Sequence, residues 1–385
     1  MIDRVFTNRI PDPMPMGSYK PNDVIFLLKN LNGLMVETDL QTRENNMQSG
    51  GHYSEMLPIE YEPTKEYLDL FHLTLQESAA KVAEGVAIVA ESILKRNGPE
   101  MVLVSLARAG TPIGVLIKRY LLEIHDLDLP HYSISIIRGK GIDENAILYI
   151  LQNHPASKLQ FIDGWTGKGA ITSVLSKACA EFQAKYGVVL DDDLAVLADP
   201  GYCVKTFGTR EDYLIPSACL NSTVSGLVSR TVFRTDLIGD NEFHGARFYK
   251  ELLEDEVSNL FVDTISAEFK SQNLPLKQPE LEACEAQVKG EGKAEFKPEV
   301  KVTWQGLKAL TSIKETFGIT DINFIKPGIG ETTRVLLRRL PERILVDHLE
   351  NPNLKHILLL AKDKGVPVQE YPDLTYSCCG ILKQI

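Results

Sequence analysis

Between residues 101 and 198 short apolar blocks alternate with stretches whose apolar positions recur every three or four residues. The blocks predict strands at 101–106, 132–137, 159–162 and 194–198, and the helical spacing predicts helices at 112–124, 143–152 and 170–186. Strands alternating with helices of this length imply an α/β fold with a mostly parallel sheet. Upstream, Tyr67, Leu70, Phe71 and Leu75 begin a helical pattern that covers residues 63–95 as one long helix or two. Residues 22–30 read as a strand or short helix, and residues 48–55 as a flexible polar loop. Downstream, strands at 322–325, 343–346 and 366–368, a turn at 328–330, and helices at 331–340 and 354–364 predict a smaller αβα unit.

Between these two parts, residues 268–297 are polar, contain Pro275, Pro279, Gly290 and Gly292, and lack sustained apolar periodicity. They read as a linker between a first domain of residues 1–267 and a second of residues 298–385. Charge separates the same parts: residues 298–385 hold 12 Lys and Arg against 10 Asp and Glu, although the whole chain carries −11. Hydrophobic residues at 44% and charged residues at 24% are ordinary for a soluble protein. No apolar run approaches a membrane span, and the first residues form neither a basic leader nor a transit sequence, so the expected compartment is the cytoplasm. Cys179, Cys203, Cys219, Cys284, Cys378 and Cys379 lack metal-ligand spacing and read as reduced thiols, the last two in a buried turn.

Three turns carry candidate chemistry. The strand at 159–162 runs into Asp163, Gly164, Trp165, Thr166, Gly167, Lys168 and Gly169 before a helix, an arrangement in which helix amides and glycines can hold a phosphate. It is not a P-loop, since both the spacing and the Ser/Thr after the lysine are missing. The strand at 101–106 leads into Arg108, Ala109 and Gly110, and the strand at 132–137 into Arg138, Gly139, Lys140 and Gly141. These turns resemble those of the type I phosphoribosyltransferases, with Gly164 standing where that family has a second acid. The resemblance implies that Arg108, Ala109 and Gly110 hold a pyrophosphate and that Lys140 or Arg138 closes over it. It also implies that Asp163 binds ribose hydroxyls, residues 166–169 grip a 5′-phosphate, and magnesium bridges pyrophosphate and ribose. Plainer readings stand beside these: an ordinary strand-to-helix turn, solvated loop charges at Arg138 and Lys140, and Trp165 as a lid on the core.

Residues 212–227 are rich in small hydroxyl side chains. Ser222 and Thr223 could open a helix as caps and anion donors, or Cys219 could be a nucleophile at that helix start with His244 as its base. A small buried hydrophobe is the plainer account of Cys219. With residues 50–58, 163–169 and 221–226, the first part closely resembles bacterial phosphoribosyltransferase-like proteins of tellurite-resistance stress operons, also labelled StiP-type cysteine proteases. The second part, through the run from Gly328 to Arg334, resembles the Pelota and kink-turn-binding ribosomal family, which implies RNA contact by Gly328, Gly330, Glu331, Arg334 and Arg338. The combined expectation is a phosphoribosyltransferase joining phosphoribosyl pyrophosphate to a nucleobase-like acceptor, with an RNA-binding module. The alternatives are a Cys219/His244 cysteine protease and a non-catalytic nucleotide or sugar-phosphate sensor.

Overall fold

The computed structural model describes residues 9–271 and 300–384, apart from 40, 41, 43, 44, 47, 48, 61 and 339. The strands of its main sheet are β1 (Ile25–Phe26), β2 (Met101–Ala107), β3 (His131–Ile137), β4 (Gly141–Ile142), β5 (Lys158–Trp165), β6 (Leu194–Ala198) and β7 (Thr206–Thr209). They run parallel in the order β1-β3-β2-β5-β6-β7, with β4 pairing antiparallel to β3. Central strands such as β2 and β3 are apolar on both faces because helices cover both, as parallel sheets require. Leu103, Ile162 and Leu197 face a core built with α1 (Lys65–Asn97), α2 (Thr111–His125) and α5 (Ser258–Ser266). The alternate residues Val104, Phe161 and Val196 face the other core, with α3 (Glu144–Asn153) and α4 (Ala170–Tyr186).

The predicted alternation is present, with informative differences. Residues 65–97 form one unbroken helix that ends where Gly98, at φ +78°, adopts a conformation other residues resist. Residues 52–55 are an ordered turn instead of a flexible loop, because His52 caps Tyr53–Glu55 and Glu55 reaches back to the His52 amide. Ser222–Val224 make only a three-residue 3-10 turn, too short for the expected anion-binding helix start. At the proposed linker's start, Phe269–Ser271 form another such turn, with Phe269 buried against Tyr120 at 5.3 Å between ring centroids. Residues 272–297 of that linker lie outside the described residues, as does Cys284.

The second domain holds α6 (Gln305–Thr316), β8 (Ile325–Pro327), α7 (Gly328–Arg338), β9 (Arg343–Val346), α8 (Lys355–Asp363), β10 (Val368–Glu370) and β11 (Cys378–Ile381). Its sheet order is β8-β11-β9-β10. Cys378 and Cys379 therefore lie in an interior strand, not a turn. Residues 322–324 are a 3-10 turn leading into β8, and α7 begins at Gly328, in place of the expected turn. The cause of that early start is distant in sequence: the Ile329 amide donates to the Asp212 carboxylate of the first domain at 3.0 Å. Ile329 and Leu336 of α7 pack in the same apolar cluster as Tyr213, Ile215, Cys219 and Leu220. The second domain thus sits against the segment that follows β7.

Candidate active site

Neighbours of β2 lie on opposite sides of it, β3 and β5, so the turns after these strands meet at the carboxyl edge where open sheets place ligands. A Cβ on Gly110 would lie 2.5 Å from the Ile162 carbonyl and 3.0 Å from Asp163 Cα, and one on Gly164 would lie 3.2 Å from the Ala109 carbonyl. The Arg108 turn is thereby pressed against the end of β5. Asp163, inside β5 and not beyond it, accepts from the Gly164 amide at 2.8 Å, and burial pushes its carboxyl up to about 7.

Of the polar groups expected to hold phosphate, Arg108, Lys168 and the Gly110 and Thr166 amides are engaged within the protein. Arg108 donates to Glu60 at 3.3 Å and to the Val228 carbonyl at 3.1 Å, and the Gly110 amide donates to the Leu106 carbonyl. Lys168 donates to the Ile325 carbonyl at 2.7 Å, and the Thr166 amide to the Ala198 carbonyl. Glu60 also accepts from the amide and hydroxyl of Ser222, both at 3.0 Å, while the Thr223 carbonyl accepts from Val257 and Ser258. Arg138 is exposed, and its amide donates to the Tyr53 hydroxyl. Lys140 lies 3.9 Å from Glu55.

Around residues 166–169 the second domain forms a roof. The Tyr376 hydroxyl donates to the Gly167 carbonyl at 2.9 Å, and the Gly306 amide to the Gly201 carbonyl at 3.0 Å. A Cβ on Gly169 would strike the Trp304 ring, and one on Gly328 would meet Trp165 at 2.8 Å. Cys203 lies beneath this roof, its thiol donating to the Gly167 carbonyl at 3.3 Å. Burial, with the Asp199 charge beside it, pushes that thiol up to about 12. Asp199 accepts from the Cys203 amide and pairs with Arg210.

Cys219 follows the turn Pro216–Ala218 and is fully buried. Burial pushes its thiol up to about 12 against the pull of Arg334 and a bond from Thr74. His244 stands elsewhere: its ring bonds the Ser135 hydroxyl at 2.9 Å and packs on Phe233, while burial lowers its pKa despite Asp143. The structure does not bring Cys219 and His244 together.

Of the residues expected to meet RNA, Arg334 donates to the Ala218 and Leu220 carbonyls at 2.7 and 3.3 Å. Gly328 is buried against Trp165, and a Cβ on Gly330 would lie 3.1 Å from that of Ala218. One Glu331 oxygen is buried without a hydrogen bond. Arg338 is exposed. Glu60 and Tyr376 draw no attention in the sequence, Cys203 reads only as a reduced thiol, and Asp212 only opens the hydroxyl-rich run. None sits in a motif, and each gains its place through a contact more than 30 residues away.

Residues 17–266 match the family described as tellurite-like stress resistance cysteine protease StiP, and residues 304–384 match the PELOTA RNA binding domain. The chain is also 32% identical over 367 residues, 93% of its length and 91% of the relative's, to the cysteine protease StiP of Acinetobacter baylyi. This chain belongs to the StiP family. Membership overturns the phosphoribosyltransferase expectation, since the family and this StiP relative carry the name of a cysteine protease. The engaged side chains of Arg108 and Lys168 agree with that correction. The expectation of phosphoribosyl pyrophosphate, a nucleobase-like acceptor and magnesium rested on the transferase reading and has no support of its own. No helix among the described residues is long and apolar enough to cross a membrane.

Proposed function

We propose that the chain is a cysteine-dependent peptidase acting in stress resistance. The observation carrying this reading is the relative named cysteine protease StiP, aligned over nearly the whole of both chains. In such chemistry a thiolate attacks a peptide carbonyl, forming an S–C bond as the C–N bond breaks, and the departing amine takes a proton. Water then hydrolyses the thioester and restores the thiol. Cys203, at the carboxyl edge of the sheet, and Cys219, on the segment after β7, are the candidates among the described residues. Cys284 is a third in the sequence. Strand order and the turns after β2, β3 and β5 support a type I phosphoribosyltransferase-like fold for the first domain, a likeness of scaffold that carries no activity.

Hydrolysis of a quenched peptide library, measured on the wild-type protein and on Asp212→Ala, tests the reading. The expected result is cleavage abolished by one of Cys203→Ala, Cys219→Ala or Cys284→Ala and retained in Cys179→Ala. Cleavage absent from both starting proteins, or retained in a Cys→Ala variant at each of the six cysteines, overturns it.

RNA contact by the second domain is the companion proposal, supported by the match of residues 304–384. Arg338, the exposed arginine of the expected set, is the residue to substitute. Arg338→Ala should weaken retention of a structured RNA on a filter and reduce the salt slope by about one. Retention and slope both unchanged would remove Arg338 from the contact.

A further inference from the structure

Among the described residues the polar contacts between the second domain and the first include several that bracket the candidate thiols. Tyr376 holds the Gly167 carbonyl, which also receives the Cys203 thiol. The amides of Thr303 and Trp304 donate to the Tyr202 carbonyl, and that of Gly306 to Gly201, just before Cys203. Arg334 grips the carbonyls of Ala218 and Leu220, which flank Cys219. Between these points Asp212 takes the amides of Ile329 and Ser377, both at 3.0 Å.

The charged groups at this seam are unusual in their partners. Asp212 is bonded to main-chain amides, Arg334 to main-chain carbonyls, and Lys168 to the Ile325 carbonyl. Each is hydrogen-bonded to neutral backbone, and the Glu331 charge lies near Lys168 and Arg334, so each gives up hydration for partial compensation. Solvent recovers that hydration when the seam parts. The apolar contact of Ile329 and Leu336 with Tyr213, Ile215 and Leu220 resists that parting, but Leu310, Ile313, Leu345 and Ile381 form a separate second-domain cluster that stays whole when the seam separates.

We infer that the second domain is an intramolecular cover that keeps the cysteine-bearing edge of the first domain closed, and that the peptidase is latent until the cover lifts. The latency rests on the peptidase reading, whereas the lifting is a property of the fold that can be measured without any hydrolysis. A substrate carbonyl cannot reach a thiol beneath Tyr376 or one flanked by the two carbonyls that Arg334 holds. Cys179, in α4 within the core on the other face of the sheet, supplies an internal reference away from the seam, since Val300 is the second domain's one described residue in that core.

The test is native-state labelling of the wild-type protein with a small alkylating thiol reagent, with the modified cysteines quantified by mass spectrometry over time. Cys203 and Cys219 should react at a common rate, about tenfold or more faster than Cys179, because they open sub-globally while Cys179 awaits global unfolding. Equal rates for Cys179 and the other two, or Cys179 reacting first, overturn the cover. In Asp212→Ala the Cys203 and Cys219 rates should rise about tenfold with the Cys179 rate fixed. Should all three rise together, that variant reports general destabilisation, and the wild-type ratio decides. If the ratio holds while the opened protein cleaves no peptide, the cover stands and the peptidase reading is what fails.

Discussion

Arg108 and Glu60, 48 residues apart in sequence, face each other at 3.3 Å in a pocket where both side chains are largely buried. Burial alone would raise the Glu60 pKa, but the Arg108 charge and two bonds from Ser222 outweigh it and hold the carboxylate below its usual range. Removing the arginine leaves a buried anion with no counter-charge. Arg108→Ala should therefore cost about 3–5 kcal/mol in urea unfolding. Glu60→Gln should cost less, since an amide oxygen still accepts from Ser222 and Arg108 keeps the Val228 carbonyl. A larger loss from Glu60→Gln would contradict this account of the pair.

Asp212 gives a pH dependence of opposite sign. Burial raises its carboxyl to about 7 in spite of the amides it accepts. An acid whose folded pKa exceeds its unfolded value of about 3.9 binds protons more tightly when folded. Its stabilising effect is complete below about pH 4 and is lost as pH rises toward 7. Against Asp212→Asn, which cannot ionise, the wild-type melting temperature should fall progressively between about pH 4 and pH 7. A constant difference between the two proteins across that range would remove Asp212 from the titration.

Arg334 and Arg338 lie one turn apart on α7 yet should respond differently. Arg334→Ala strands the carbonyls of Ala218 and Leu220 and should lower stability by about 1–3 kcal/mol. Arg338→Ala, on an exposed side chain that bonds Tyr67, should cost less, about 0.5–1 kcal/mol. Denaturant midpoints of the two variants check the contrast, and equal losses would mean that the docked geometry of Arg334 is not what stabilises the protein.

Gly306 has no room for a side chain. A Cβ there would collide with the Tyr376 hydroxyl and lie 2.7 Å from both the Gly167 carbonyl and Gly201 Cα. Gly306→Ala should push the second domain from the first and expose Cys203 to alkylation several-fold faster, with Cys179 unaffected. Unchanged Cys203 reactivity in a folded Gly306→Ala protein would show that the contact yields without opening.

Legibility in the sequence followed the range of the interactions involved. The strands β2, β3, β5 and β6 and the helices between them announce themselves through local periodicity, and the meeting of the Arg108 and Asp163 turns follows from their connections. What those side chains do is decided elsewhere. Glu60 claims Arg108, Ile325 claims Lys168, and Asp212 starts a helix 117 residues away, turning an apparent Gly-Ile-Gly turn into the beginning of α7. Cys219 and His244 looked like a pair because both residue types suit the chemistry. Composition carries no information about the direction in which a side chain points, and the fold gives them separate neighbours.

The strand Cys378–Ile381 lies inside its sheet, antiparallel to Ile325–Pro327 on one side and to Arg343–Val346 on the other. As the chain leaves the ribosome, every strand of the main sheet is available long before this one. The roof's sheet therefore closes only when the last of its strands arrives, joining Ile325–Pro327 to Arg343–Val346 across Cys378–Ile381.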